Sequence, residues 1–356
     1  MAKTLVICCD GTWNEPESID GKRGQSTNVL KTVRAVRPQA TRPDGTVCEQ
    51  VVYYDRGVGT ANWWDRIVGG TFGVGLSGNV IEAYNFIANN AAGPDDRIFL
   101  FGFSRGAFTV RSLAGFIGLV GLIAKTDLGQ LPKAFAYYRT SPKQRAKPEE
   151  YFAGIERRWP VDIHFLGVWD TVGALGIPTQ FLGLNRLWHK RYEFHDVTLS
   201  PRVRNAYQAL AIDERRRPFA PCLWDNREPA AGQTIEQVWF PGVHSNVGGG
   251  YPDAGLANVA LHWMLGKARD CGLALDDGYL AKNAPDPANG VLYDSCKHVY
   301  RLRAQPRTLF ATMPQAEKVD VSAPSRRKAG GYAPANLPAT DVLLRECRIV
   351  PAGAAV

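Results

Sequence analysis

The segment Gly102-Phe103-Ser104-Arg105-Gly106 spells G-x-S-x-G, directly after the apolar run Arg97 to Phe103 and directly before a helix-forming stretch. That pattern and context describe a nucleophile elbow, a strand-to-helix turn so tight that the serine is strained and its flanking glycines have no room for side chains. A serine hydroxyl is a poor nucleophile at neutral pH. It needs a base in hydrogen-bond reach and a carboxylate that orients the base. Hydrolases with this elbow place the three in the order Ser, Asp or Glu, His. Asp170 follows the run Ile163 to Trp169 and opens the turn Asp170-Thr171-Val172-Gly173. His244 follows the run Ile235 to Phe240 through Pro241-Gly242-Val243 and precedes Gly248-Gly249-Gly250. An acid and a base at strand ends beside the nucleophile strand are placed to serve it. Asp253, close to His244 in sequence, and Asp213 compete for the acid's role. Of the other five histidines, His164 falls in a strand and His262 in a helix, His189 and His195 lie in a basic aromatic stretch, and His298 is late in the chain.

Acyl transfer also needs donors for the developing oxyanion. The amide of Arg105 is one, and the loop Asp10-Gly11-Thr12-Trp13-Asn14 after the first strand offers Gly11 and Thr12 as the second. Asp10 would then fix that loop through its side chain. Such a mechanism uses no metal and no organic cofactor. Two other readings stay open. Asp10-Gly11-Thr12 resembles the D-x-D-G-T of metal-dependent phosphatases, although Cys8 stands where their nucleophilic carboxylate belongs. A catalytically silent binding protein on a hydrolase scaffold is the other. Gly73-Val74-Gly75-Leu76-Ser77-Gly78 spells the dinucleotide fingerprint, but that motif should directly follow a strand and precede an acid at the end of the next one. Asp95 and Asp96 instead precede the next strand, so these glycines read as a loop over the active-site mouth.

The elements that must carry these residues are apolar runs alternating with helical spacing. Thr4 to Cys9, Val47 to Tyr54, Arg97 to Phe103, Ile163 to Trp169 and Ile235 to Phe240 read as strands. Near-continuous apolar strands between helices imply an α/β fold, a mainly parallel sheet with helices on both faces. The 356 residues read as a single domain over 1–356, with a helical cap-like insertion at about 125–160 and a frayed tail at about 351–356. The seven cysteines show no C-x-x-C spacing, which argues against a disulfide framework or a zinc site. The longest apolar run, Leu113 to Ala124, has twelve residues, short of the roughly 20 that span a bilayer. No secretory signal is visible, so a cytoplasmic location is expected. Lys and Arg exceed Asp and Glu by 42 − 34, a net charge of +8. No nucleic-acid motif accompanies that charge. Part of it lies between Lys133 and Arg158, interleaved with Phe135, Tyr137, Tyr138, Tyr151 and Phe152, a patch expected to touch an anionic membrane. The oligomeric state is left open.

CDGTWN, STNV, YYDRGVGT, NVIEAYNFI, FLFGFSRGAFTVR, VWDTVGALG, AIDERRRPFAPCLW and VWFPGVHSNVGGGY occur in that order from Lys3 to Tyr251. Together they resemble the catalytic domain of the type VI secretion phospholipase effectors, an α/β-hydrolase family. The resemblance implies a serine hydrolase acting on ester bonds of phospholipids or other lipids, with Ser104 as nucleophile, Asp170 as acid and His244 as base. It also implies export by a type VI route without a signal peptide. Where family members often read H-x-D-V-G-G-G-Y, this chain has Asn246 in place of the aspartate.

Overall fold

The computed structural model describes residues 2–11, 25–57, 72–158, 161–172, 199–225, 228–313, 315–345 and 348–350. Its strands are β1 (Lys3–Cys9), β2 (Gln39–Thr41), β3 (Val47–Asp55), β4 (Arg97–Phe103), β5 (Leu122–Ile123), β6 (Arg157–Arg158), β7 (Ile163–Trp169), β8 (Asn205–Ala211), β9 (Thr234–Phe240), β10 (Glu317–Asp320) and β11 (Ile349–Val350). Its helices are α1 (Asn28–Ala35), α2 (Phe72–Asn90), α3 (Arg105–Val120), α4 (Leu131–Arg139), α5 (Pro148–Tyr151), α6 (His244–Gly248), α7 (Gly255–Asp270), α8 (Asp277–Ala281), α9 (Ser322–Ala329) and α10 (Thr340–Arg345).

Nine strands form one sheet in the order β11-β10-β9-β8-β7-β4-β1-β3-β2, and every neighbouring pair is parallel except β2 with β3. β4 lies near its middle, flanked by β1 and β7. Because side chains alternate along a strand, β1 sends Leu5 and Ile7 to one face and Val6 and Cys8 to the other. The first face packs on α2 and α3 through Tyr84, Ile87, Val110 and Phe116. The second packs on α1 and α7 through Val29, Leu261 and Met264. Burial on both faces is why these strands read as continuous apolar runs. Parallel strands bring their carboxyl ends to one edge. Asp10, Ser104, Asp170 and the turn before His244 therefore share that edge. Functional groups of open α/β sheets gather there.

Several sequence readings differ from the structure. The glycines from Gly73 to Gly78 are the opening turns of α2, not a loop over the site. Gly is a poor helix former, but Val80, Ala83, Tyr84, Ile87 and Ala88 bury the rest of α2, and a helix once nucleated extends at little cost. The sequence also did not announce β8, β10 and β11. β8 reads NAYQALA, with alanines and a buried Gln208 where an apolar run would be sought.

The basic aromatic segment is helical, with a ribbon in which β5 pairs with β6. Its aromatics turn inward. Phe135, Tyr137 and Phe152 are buried, and Phe116 of α3 meets Phe135 at 5.3 Å and Tyr138 at 5.6 Å. Lys133, Arg145 and Arg157 lie over the rings of Tyr151, Tyr137 and Phe152 at 5.3, 5.6 and 5.2 Å. Phe116 stands about 18 Å along α3 from Ser104, at 1.5 Å per residue. The segment thus packs on the half of α3 remote from the elbow, and it does not present a stripe of rings to a membrane. No helix among the described residues is long and apolar enough to cross a bilayer.

Candidate active site

Ser104 ends β4 with φ 57° and ψ −118°, a conformation that few non-glycine residues adopt. The glycines around it are dictated by contact. A Cβ on Gly102 would lie 2.6 Å from the Gly106 carbonyl oxygen, and one on Gly106 would lie 2.0 Å from that of Cys9. The elbow packs so closely on β1 that neither position tolerates even alanine. The Ser104 amide donates to the Trp169 carbonyl at 3.0 Å, which sets Ser104 beside Asp170 on the neighbouring strand.

Asp170 is fully buried and also has a left-handed backbone, φ 42°. Its Oδ2 lies 2.6 Å from His244 Nδ1. Its Oδ1 accepts the Ala211 amide at 3.0 Å. Arg307 closes on both oxygens, Nη1 to Oδ1 at 2.6 Å and Nη2 to Oδ2 at 2.9 Å. The same guanidinium donates to the carbonyls of Ala211 at 2.9 Å and Phe219 at 2.6 Å. Planar fork-to-fork pairing of this kind is among the strongest charge-assisted contacts. Burial by itself pushes the Asp170 carboxyl up. The Arg307 charge, then the hydrogen bond and charge of His244, outweigh it and hold the carboxyl well below the usual carboxylate range. An ionised Asp170 accepts only, so His244 carries its proton on Nδ1 and leaves Nε2 as the basic nitrogen.

His244 opens α6, and its ring sits between Phe103 at 4.6 Å and the edge of Phe219 at 4.9 Å. Arg216 lies over the Phe219 ring at 3.6 Å and pairs with the buried Glu214 at 2.9 and 2.8 Å. Glu214 in turn accepts the His244 amide at 3.3 Å. Gly242 takes φ 113°, and a Cβ there would meet the Asn246 side chain at 2.3 Å. Asn246 donates from Nδ2 to the Val291 carbonyl at 2.8 Å, while its Oδ1 accepts the amides of Val243 at 3.3 Å and Tyr293 at 3.2 Å. An aspartate here could accept the two amides but, ionised, could not donate to the Val291 carbonyl.

The rival acids are placed elsewhere. Asp213 accepts the Gly242 amide at 2.6 Å and the Tyr332 hydroxyl at 3.0 Å, bracing the turn before His244. Asp253 accepts the amides of Gly255 and Val291, each at 3.1 Å. Ser104 Oγ makes no hydrogen bond to His244 among the described residues, a link that often tightens only when substrate is bound. The Arg105 amide opens α3 directly after Ser104. The Gly11 amide donates to Asp10 Oδ1 at 2.8 Å and is engaged there. Thr12, His189, His195 and the tail at 351–356 lie outside the described residues. Asp10 also accepts from Thr27 Oγ1 at 2.5 Å and Tyr54 OH at 3.1 Å, tying the first loop to α1 and β3. Among the described residues, no three His, Cys, Asp or Glu side chains are grouped to hold a metal ion.

Arg307 and Glu214 escaped the sequence reading. Glu214 stands in AIDERRRPF, where its charged neighbours mask it. Arg307 lies outside any strand or helix, 137 positions from its carboxylate, and only tertiary closure brings the pair together.

Residues 3–267 match the family described as "T6SS, Phospholipase effector Tle1-like, catalytic domain". An uncharacterised protein of Saccharomyces cerevisiae is 28% identical over 242 residues, 61% of this chain, and the chain spans only 32% of that relative. The crystal structure of an uncharacterised Pseudomonas aeruginosa protein aligns with 80% of this chain and 49% of its own, at 19% identity and a TM-score of 0.43. A structure of the Tle1 effector bound to the VgrG spike from the type 6 secretion system aligns with 71% of this chain and 52% of its own, at 20% identity and a TM-score of 0.40.

Proposed function

This chain belongs to the Tle1-like catalytic-domain family of type VI secretion phospholipase effectors, and from that premise we propose that it is a serine hydrolase cleaving carboxylic ester bonds of phospholipids or other lipids. The observation that carries the reading is the strained Ser104 beside a buried Asp170–His244 pair. Ser104 Oγ attacks the ester carbonyl while His244 Nε2 takes its proton. Asp170 holds the Nδ1 tautomer and stabilises the imidazolium, and Arg307 fixes Asp170 without touching substrate. The Arg105 amide donates to the oxyanion. Gly11 becomes a second donor if its amide leaves Asp10, and Thr12 remains the other candidate. His244 returns the proton to the leaving alcohol, and water then deacylates the enzyme. Delivery by a type VI route accompanies the family reading and is part of the proposal.

A fluorophosphonate probe tests it, combined with an ester panel that varies acyl length and phospholipid head group. Ser104 is expected to take the label and Ser104→Ala to lose both label and turnover. An unlabelled, inactive wild-type protein would leave the silent binding reading in its place. Turnover that survives Ser104→Ala and disappears with chelator would return the phosphatase reading through Asp10. The hydrogen bonds of Asp10 to Gly11, Thr27 and Tyr54 speak for a structural role instead.

A further inference from the structure

We propose that the segment Lys297–Arg303 seats this protein on an anionic phospholipid surface next to the catalytic elbow. The proposal deepens the lipid-hydrolase reading and rests on it for its place in turnover. The chain from Val291 to Arg307 is clamped at both ends by neighbours of the site. At the first end, Asn246 holds the Val291 carbonyl at 2.8 Å, and Ser295 Oγ donates to Glu214, the residue under the His244 amide, at 3.0 Å. At the second end, the Gln305 amide donates to the Arg215 carbonyl at 2.9 Å and Arg307 grips Asp170. The 3-10 helix His298–Arg303 lies between these clamps.

That segment carries an unusual surface. Among the described residues seven large apolar side chains are exposed, and four of them, Val291, Leu292, Tyr300 and Leu302, lie in the clamped chain from Val291 to Arg307, the last two in the 3-10 helix itself. Leu302 is the extreme, 87% exposed where the next highest is 57%. The surrounding charge is basic. Arg215 and Arg301 share the Asp294 carboxylate at 3.4 Å each, and Lys297 is exposed at the head of the segment. The Arg301 side chain remains 71% exposed despite that pair. Apolar side chains held out into water among cations suit a boundary where anionic head groups meet acyl chains. Neither part fits water alone, since an isolated leucine gains nothing there. The clamps supply the geometry, because a segment fixed to Glu214 and Asp170 presents the bound surface to the edge of the sheet that bears Ser104. The basic aromatic patch expected between Lys133 and Arg158 lacks this arrangement, since Phe135, Tyr137 and Phe152 are buried.

Vesicle co-sedimentation of the Ser104→Ala protein tests the proposal without chemistry, using equal parts phosphatidylcholine and phosphatidylglycerol against pure phosphatidylcholine. Binding is expected only to the anionic vesicles and should weaken with added salt. Leu302→Glu should weaken it by about tenfold or more, while Lys143→Glu, exposed on the remote segment, should change it by less than about twofold. Arg301→Glu provides a second exposed variant should Leu302→Glu fold poorly. Parent protein that ignores anionic vesicles overturns the proposal, as do Leu302→Glu and Arg301→Glu proteins that bind like the parent. Equal losses in Lys143→Glu would reduce the effect to net charge and overturn it too. Vesicle binding lost with Leu302 in a protein that hydrolyses no ester would sink the hydrolase reading and leave the docking surface standing.

Discussion

Asp10 and Asp170 end parallel strands two apart in the sheet, at the same edge, and each is almost fully withdrawn from water. Asp10 accepts from the Gly11 amide and from the hydroxyls of Thr27 and Tyr54, groups on elements that border the first loop. Asp170 takes one amide, an imidazole and a guanidinium fork. A buried carboxylate that takes an amide and hydroxyls from bordering elements fastens those elements together. One satisfied by a titratable ring is coupled to proton transfer, and the added arginine keeps it ionised when burial would protonate it. Position at a strand end therefore nominates both residues, and only the donors separate a fastener from an orienting acid.

The comparison breaks most visibly at Asp170. Asp170→Asn should lower kcat by about 10⁴-fold, because an amide allows the wrong imidazole tautomer. It also leaves the buried Arg307 without a counter-charge, so urea unfolding should show a loss of about 3 kcal/mol. Steady-state assays and melts on the one variant read both effects. Near-normal turnover would transfer the acid's role to Asp213 or Asp253. Next in size is Arg307. Arg307→Lys keeps the charge and loses the fork, and a drop of about tenfold in kcat with little change in KM is expected. Arg307→Met should fall further and shift the acid limb of the pH–rate profile upward, since Asp170 loses the charge that opposes its burial. A profile unmoved in Arg307→Met would make the arginine a packing residue only.

These residues also mark where sequence stops being informative. Ser104, Asp170 and His244 were legible because each follows a short apolar run whose end is punctuated by Gly, Pro or Asp, and because strand ends of a parallel sheet converge. That logic is local plus one rule of topology. Arg307 obeys neither, for its segment has no periodicity and its partner lies in another part of the chain. The same limit explains β10 and β11, short strands at one side of the sheet without a run long enough to detect. The segment around Lys133 packs otherwise than its sequence suggests for a different reason. Interleaved cations and rings look amphipathic in a linear string, whereas the folded segment buries Phe135 and Tyr137 and lays Lys133 and Arg145 over the rings of Tyr151 and Tyr137. The glycines of α2 mislead likewise, since local propensity there is overridden by burial further along the helix.

Asp10 should respond in the opposite sense to Asp170. Asp10→Asn keeps the shape and weakens charge-assisted bonds to Gly11, Thr27 and Tyr54. We expect turnover within about threefold of wild type and a stability loss of about 1–2 kcal/mol, measured by ester assay and urea melts. Chelator should leave activity unchanged. Asp10→Asn protein that is inactive but fully stable would erase the distinction between the two carboxylates.

The smallest effect is one of slope, and it sets Asp170 against Asp213. Asp170 has a depressed carboxyl, so its ionised form is bound more tightly by the folded chain than by the unfolded one. That contribution is fully present above the unfolded value of about 3.9 and is lost as pH falls through the lower folded value. Asp213 is raised, because burial outweighs its bonds from Gly242 and Tyr332. Its contribution is present below the unfolded value and is lost as pH rises through the folded one. The stability deficit of Asp170→Asn relative to wild type should therefore hold steady from pH 7 to about 5 and shrink below about 4. The deficit of Asp213→Asn should instead grow as pH falls. Urea melts of the two variants across this range give slopes of opposite sign. A shared sign would mean that Arg307 does not hold Asp170 ionised, and that the two buried carboxylates differ only in which loop they fasten.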